Sequence, residues 1–446
     1  MNDSPVIDVT RRLADDIRSG RLAPGATLPT HRKLAAQHGI AIASATKVYA
    51  NLHALGLVVG EVGRGTYVRD RPSVREWDAD DEARLTSTAV DLSFNQPSWP
   101  GQADLLRSAL RELAGAGDLS ALLRQQPPGG RLHERQVVAD YLRHARRVDA
   151  NAEQVFLVGG AQQGLDVTIR ALLKPNDSVA LDALTYPGFK MAAGLFGLTL
   201  RPVPAASAGT DLDALDALCH RHAIRAIYAM PTLHNPLSWV MDARQRKRLV
   251  AIARRHDCLL IEDATYAYLV DDAPPSLATL APERTIYVSS LSKSVSTRLR
   301  FGFVVTPPDY AARFKRVVRA TYWSLPSLVT TIATRWITDG TVVRQETSLR
   351  EDARHRQITA REVLRGMDLM THPSSLFLWL RLPEGARMDQ AVTALAARGL
   401  AASKAEAYAT TRHAPHALRL GLSSMPADRV AVVLAEVREV IERLPI

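Results

Sequence analysis

Cysteine is nearly missing from these 446 residues; Cys219 and Cys258 are the only two. Two thiols cannot build a disulfide framework, and nothing in the chain points to an oxidising compartment. Lysine is scarce as well: only eight of the 56 Lys and Arg residues are lysines. No apolar run is long enough to span a bilayer. The opening, Met1 to Gly20, carries Asp3, Asp8, Asp15 and Asp16, which a secretory or organellar leader would not tolerate, so the cytoplasm is the expected compartment. Glycine-rich nucleotide loops ending in Lys-Ser or Lys-Thr are missing, and so is a serine-hydrolase elbow. Cys219-His220-Arg221-His222 has metal-ligand residue types, but neighbouring helical positions point apart, so no metal is expected.

What is present is ordinary globular material: 46% hydrophobic and 23% charged residues, with length for two or three domains. The net charge of +10 permits a polyanionic partner without placing it. Residues 1–70 hold nine Lys/Arg against six Asp/Glu, while other cations cluster at Arg313, Lys315, Arg316 and Arg319. Charge alone therefore identifies no nucleic-acid surface.

Patterning says more about the first seventy residues. Val6, Val9, Leu13 and Ile17 recur at helical spacing before Gly20, which predicts an amphipathic helix with a glycine stop. Thr30 stands at a cap position ahead of Leu34 and Ala35, and Gly39 closes that second helix. A third helix is predicted from about Ala43 to Leu55. Leu57-Val58-Val59 and Thr66-Tyr67-Val68 then read as strands joined by a glycine-flanked tip carrying Arg64. Three helices and a hairpin suit a winged helix-turn-helix, with the third helix in the major groove. A helical cap used for protein contacts suits the same pattern. The string Leu28-Pro29-Thr30-His31-Arg32-Lys33-Leu34-Ala35, with Gly63-Arg64-Gly65-Thr66-Tyr67-Val68, resembles the DNA-binding domain of the GntR family. The resemblance implies DNA contacts at Arg32, Lys47 and Arg64, helped by Thr30, Ser44, Thr46 and Gly65. It departs at the opening of the third helix, where the usual polar pair is Ala41-Ile42.

Residues 71–89 are polar and acidic, without apolar period, and read as a tether. Beyond them, Gln154–Val158, Ser178–Leu181, Ile224–Tyr228, Leu259–Ile261 and Thr285–Val288 are predicted strands separated by helical patterns. They imply an α/β lobe with a mostly parallel sheet over roughly 115–330, and 331–446 a smaller α+β lobe. In such sheets ligands sit at the carboxyl ends of strands. Lys293 follows one of these runs, ringed by Ser290 and Ser292 and trailed by Arg300. Such surroundings suit a Schiff-base lysine holding a phosphorylated aldehyde. Gly160 with Ala161 and Gln162 opens a helix where amides would meet a phosphate. Asp263 would be a poorly solvated carboxylate for a pyridine nitrogen; Tyr266 and Asn235 would face a phenolate, and Tyr186 would stack on an aromatic ring. Taken singly, each has a plain alternative as a turn, cap, core aromatic or ion pair.

Their joint order resembles fold-type I aminotransferases from residue 90 to 446. With the first domain, the chain is similar to the MocR subfamily of GntR regulators. The resemblance implies pyridoxal 5'-phosphate on Lys293 as an internal aldimine, with Asp263 and Tyr266 completing the catalytic set. It further implies phosphate contacts from Ala161, Gln162, Ser290, Ser292 and Arg300, and ring contacts from Tyr186, Asn235, Asp263 and Tyr266. Arg419, in Leu418-Arg419-Leu420-Gly421, would grip an effector carboxylate. Double-stranded operator DNA, a homodimer and a small amine or amino-acid effector are the expected partners. Three departures stand out: Asn235-Pro236-Leu237-Ser238 for Asn-Pro-Thr-Gly, Gln125 for a phosphate-binding tyrosine, and Ser374-Ser375 for a glycine pair. The leading expectation is a regulator that senses an amine by external aldimine formation. A working aminotransferase carrying a DNA module is the alternative, and a cofactor-free scaffold the third.

Overall fold

The computed structural model describes residues 5–18, 21–22, 25–54, 57–61, 65–68, 90–96, 99, 101–115, 119–206 and 209–444. The chain divides into two compact units, Met1–Ala89 and Val90–Ile446.

In the first unit, helix α1 (Pro5–Arg18) buries Val9, Leu13 and Ile17, the stripe its spacing demands. Helix α2 (His31–His38) starts at Thr30, whose side chain accepts from Lys33 N at 3.4 Å, and ends where Gly39 turns left-handed at φ 62°. Helix α3 (Ile42–Ala54) packs Ala45, Val48, Tyr49 and Leu52 inward. Strands β1 (Val58–Glu61) and β2 (Gly65–Val68) pair antiparallel, Val58 opposite Val68. Leu28, Leu34 and Leu57 close the core beneath them. Each such side chain contributes about 1.5–3 kcal/mol by burial, which is what holds a unit this small together. The result is a winged helix-turn-helix.

The second unit opens with β3 (Val90–Asp91). Its main sheet is built from β4 (Val155–Val158), β5 (Ser178–Asp182), β6 (Thr199–Val203), β7 (Ile224–Ala229), β8 (Leu259–Asp263), β9 (Thr285–Ser290) and β10 (Gly302–Val305), with α4 (Ala161–Leu172) after β4 and α5 (Pro187–Leu195) after β5. The sheet order is β4-β10-β9-β8-β7-β5-β6. Only β10 runs against the others. Both faces are covered: Leu165, Ile169 and Phe189 pack on one side, Leu249, Ile252 and Leu277 on the other. Strands buried on two faces must be apolar along their whole length, so they read as unbroken hydrophobic runs.

A second sheet is made of β11 (Leu369–Met370), β12 (Phe377–Arg381), β14 (Ser403–Lys404) and β15 (Ala417–Gly421), in the order β11-β12-β15-β14, after the long helix α6 (Thr341–Val363). Helix α7 (Val430–Glu442) lays Val433, Leu434 and Val437 against Leu378, Leu380, Leu418 and Leu420. Strand β3 belongs to this smaller lobe as well. It pairs in parallel with β13 (Leu400–Ala401), Val90 opposite Leu400 and Asp91 opposite Ala401. The smaller lobe therefore takes its first strand from a stretch 310 positions earlier in the chain.

Candidate cofactor and effector site

The parallel sheet brings the carboxyl ends of β4, β5, β7, β8 and β9 to one edge, and the sequence-selected residues gather there. Val158 lies opposite Gly302, which lies opposite Ser290, so three strand ends stand side by side. Gly160 caps α4 at φ 89°, a conformation that favours glycine. A Cβ on Gly302 would sit 2.8 Å from the Gly160 backbone, so two glycines let these strands close up. Arg300, itself left-handed at φ 52°, donates from Nη2 to the Gly159 carbonyl at 2.7 Å. Its guanidinium lies 3.2 Å from where a Gly160 Cβ would be, over the start of α4. The first amides of α4, including Ala161 and Gln162, have no acceptor within the helix. With a cation beside them they make an anion cup. Ser290 Oγ accepts from Ser292 N at 3.4 Å, and Ser292 Oγ is buried without a partner.

Asp263, at the end of β8, is 2% exposed. Its Oδ1 accepts from Thr265 N at 3.0 Å and Thr265 Oγ1 at 2.6 Å, and its Oδ2 from Tyr228 Oη at 2.9 Å. Burial pushes the carboxyl above its ordinary range, and these donors hold it back. Tyr228 was not selected from sequence. It sits opposite Ile261 in the neighbouring strand, hence on the same face as Asp263, and stacks on Phe189 at 3.9 Å. Tyr186 precedes Pro187 at the start of α5, and burial first, then Asp263, raises its phenol. Gln162 Nε2 donates to the Gly188 carbonyl at 2.8 Å. A Cβ on Gly188 would strike the Gln162 oxygen and the Tyr186 ring, so this glycine seats both beside the cup.

Asn235 follows β7, is buried, joins Pro236 by a cis peptide, and leaves Oδ1 without a partner. Leu233 and Ser238, on either side, are left-handed at φ 54° and 61°, so the loop is held in a strained course.

Lys293 lies in the turn after β9. Its carbonyl accepts from Tyr268 Oη, and its Nζ donates to the Asn95 carbonyl at 2.6 Å. Burial, then the Arg419 and Arg300 charges, push the amine down to about 8. With the Asn95 amide turned so that its oxygen meets donors, that oxygen accepts from Arg419 Nη2 at 2.7 Å and Tyr266 Oη at 3.1 Å. Arg419, on β15 and 3% exposed, also donates from Nη1 to the Ser93 carbonyl at 3.0 Å. Its guanidinium lies 4.4 Å over the Phe377 ring, which neighbours Tyr266 at 5.1 Å. Lys293, Tyr266 and Arg419 thus meet through Asn95, a residue with no local signal beyond its place after β3.

Four of the buried polar atoms lacking partners belong here: Gln162 Oε1, Asn235 Oδ1, Ser292 Oγ and Arg419 Nε. Of these, Ser292 Oγ can donate to an anion and Arg419 Nε to a carboxylate, while the two amide oxygens only accept and would need a donor. An anion cup, a buried carboxylate, two groups for a ring oxygen and an amine of lowered pKa together fit pyridoxal phosphate. Among the described residues, no three His, Cys, Asp or Glu side chains gather as metal ligands.

In the first unit, Arg32, Thr46 and Lys47 are exposed on α2 and α3, and Ser44 is half-buried. Thr30 spends its hydroxyl on the α2 cap, and Thr46 donates its own to the Ile42 carbonyl at 3.1 Å. Gly65 opens β2 opposite Glu61. Arg64 lies outside the described residues. Ile42, at the start of α3, is 53% exposed.

The family pattern for aminotransferase class I and II matches residues 87–437. The chain belongs to that family. Residues 6–68 match the bacterial regulatory proteins of the gntR family, and the two together make it a MocR-like GntR regulator. The HTH-type pyridoxine biosynthesis transcriptional regulator PdxR of Corynebacterium glutamicum is 26% identical over 451 residues, covering 99% of this chain and 98% of the relative. The probable rhizopine catabolism regulatory protein MocR of Rhizobium meliloti is 33% identical over 187 residues, 41% of this chain and 37% of the relative. Among solved structures, kynurenine aminotransferase from Pyrococcus horikoshii superposes with a TM-score of 0.76 at 21% identity, covering 83% of this chain and 95% of that one. The α-aminoadipate aminotransferase LysN of Thermus thermophilus gives 0.72 at 23%, with 83% and 98% covered. These structures establish the fold-type I aminotransferase fold of the second unit. No described helix of this regulator is long and apolar enough to cross a membrane.

Proposed function

We propose that this regulator binds specific operator DNA through residues 1–70, joined by a tether at 71–89 to a pyridoxal phosphate-dependent sensor at 90–446, and acts in the cytoplasm as a homodimer. Ala161, Gln162, Ser290, Ser292 and Arg300 would hold the phosphate, and Asp263 the pyridine nitrogen. Asn235 and Tyr266 would face the ring oxygen, Tyr186 the ring face, and Lys293 the aldehyde. The bound aldehyde supplies reversible covalent capture of amines. Arg419 selects those that also carry an acidic group, so an amino acid or a related amine is the effector. On the DNA side Arg32, Lys47 and Arg64 would meet phosphates or base edges, with Thr30, Ser44, Thr46 and Gly65 beside them.

The observation that carries this reading is the geometry around Lys293: its Nζ meets the Asn95 carbonyl at 2.6 Å, the Asn95 side-chain oxygen meets Arg419 Nη2 at 2.7 Å, and Arg300 reaches the Gly159 carbonyl at 2.7 Å beside the start of α4. Mass spectrometry of borohydride-reduced protein tests it, with a pyridoxyl adduct expected on Lys293. Footprinting of nearby promoters, with and without amines, tests the DNA half. Protection that appears nowhere under any ligand would defeat that half.

The alternative is a working aminotransferase that carries a DNA module. A lysine pushed down to about 8 can carry a proton both ways near neutral pH, as transamination requires. Single-turnover spectra decide: release of a keto acid at useful rates, with conversion to pyridoxamine phosphate, favours the enzyme.

A further inference from the structure

Asn95 touches both cations on the effector side of the site. Its main-chain carbonyl takes Lys293 Nζ at 2.6 Å, and its side-chain oxygen takes Arg419 Nη2 at 2.7 Å. The Ser93 carbonyl takes the other terminal nitrogen, Nη1, at 3.0 Å. A guanidinium meeting one oxygen on each terminal nitrogen is what a bound carboxylate provides. Here the chain provides both oxygens itself.

The segment that does so is firmly seated. Leu92 N donates to the Ala401 carbonyl at 2.7 Å, and Gly421 N donates to the Leu92 carbonyl at 2.6 Å. A Cβ at position 421 would stand 2.7 Å from the Phe94 carbonyl oxygen and 2.9 Å from the Asn95 amide nitrogen, the end turned away from Arg419. Glycine on β15 therefore admits the segment to Arg419, two positions away. Covalently, Val90 is where the second unit begins after the stretch joining it to the first.

We propose that Leu92–Asn95 is a built-in stand-in for the effector's carboxylate, displaced when an acidic ligand takes Arg419. This rests on Arg419 being the carboxylate anchor. A buried guanidinium without an acceptor is costly, so the ligand-free state needs a neutral substitute. An amide oxygen and a carbonyl serve, but a carboxylate brings a full charge and displaces them. The exchange frees the segment next to the tether, and the strength of Asn95's hold sets how much ligand is needed.

The test uses the full chain loaded with pyridoxal phosphate, and glutarate as probe: two carboxylates and no amine. Affinity is read by calorimetry, and release by hydrogen exchange at the amides of residues 90–95. Asn95→Ala removes one of the two competing oxygens and leaves the Ser93 carbonyl in place; it should bind glutarate roughly tenfold more tightly, the worth of one hydrogen bond to a charged group. Exchange at the Phe94 and Asn95 amides should then rise even without ligand, while Val90 N and Leu92 N stay paired with the Gly399 and Ala401 carbonyls. Asn95→Asp tethers a carboxylate beside Arg419, and should bind glutarate at least roughly tenfold more weakly. A packing role would move both variants in one direction. Opposite shifts support the proposal; equal shifts, or none beyond twofold, overturn it. Arg419→Ala should abolish the response in every background. Persisting glutarate binding there, or no binding by any of the proteins, defeats the role of Arg419, while the pyridoxyl adduct on Lys293 stands or falls separately.

Discussion

The Ser238 and Ser375 hydroxyls lie 3.0 Å apart, one on the loop after β7 in the large lobe and one just before β12 in the small lobe. With one proton on each hydroxyl, Ser375 Oγ donates to the Phe377 carbonyl at 2.7 Å, and Ser238 Oγ, 3.3 Å from the same carbonyl, is left to donate to Ser375 Oγ. These are two of the positions where the chain departs from the aminotransferase pattern, and they depart together. Serine at each end makes a buried link between the lobes. Ser238→Ala and Ser375→Ala should each cost about 1 kcal/mol, with the double variant costing less than the sum. Urea unfolding of the four proteins measures the coupling; strict additivity would mean the hydroxyls act independently.

Tyr228 supplies one of the three hydrogen bonds to Asp263. Without it the carboxyl, already raised by burial, would rise further and hold a protonated pyridine less well. Tyr228→Phe keeps the stack on Phe189 and removes only the hydroxyl. Pyridoxal phosphate affinity should fall by roughly tenfold, as for one bond to a charged group, with the adduct still on Lys293. Cofactor titration by fluorescence quenching reads the change.

Lys293 must be neutral to attack an aldehyde. Its amine is held down to about 8 by burial and the charges of Arg419 and Arg300. The protonated fraction falls as pH rises through that value, so the rate of cofactor uptake by the cofactor-free protein should climb around pH 8 and level off above it. Arg419→Ala removes one repelling charge and should move the midpoint upward. Stopped-flow absorbance across pH 6–10 gives both midpoints; a flat profile contradicts the assignment.

Lys47 is exposed on α3 and Arg32 on α2, and both are DNA contacts in the reading proposed above. Lys47→Ala should weaken binding to related operators about equally and reduce the slope of log K against log salt by about 1. Ile42→Ser acts differently, because an exposed apolar side chain at the head of α3 suits a thymine methyl. It should change the preferred sequence and leave the salt slope alone. Selection from random duplexes at two salt concentrations separates the effects.

Much of this was open to inspection in the linear chain. Sheet strands such as Val155–Val158 and Thr285–Ser290 announce themselves because two buried faces forbid polar interruptions. Lys293 and Asp263 stand out because each ends such a run with a group that burial makes expensive. Thr30 and Gly39 mark the α2 ends by local hydrogen-bonding chemistry alone. Tyr228 reads as one more residue of an apolar strand; nothing nearby in sequence reveals that the next strand sets Asp263 beside it. Strand β10 carries the same apolar run as its neighbours, so its reversed direction left no trace.

The order of residues along the chain determined the mostly parallel sheet and the helix ends, because unbroken apolar runs and caps are local properties. Tertiary structure alone decided that Val90–Asn95 would belong to the small lobe and that Asn95 would bridge Lys293 and Arg419. Those contacts join positions up to several hundred residues apart through single hydrogen bonds. Such bonds form only after packing has brought the partners together, and they impose no pattern on the residues around them.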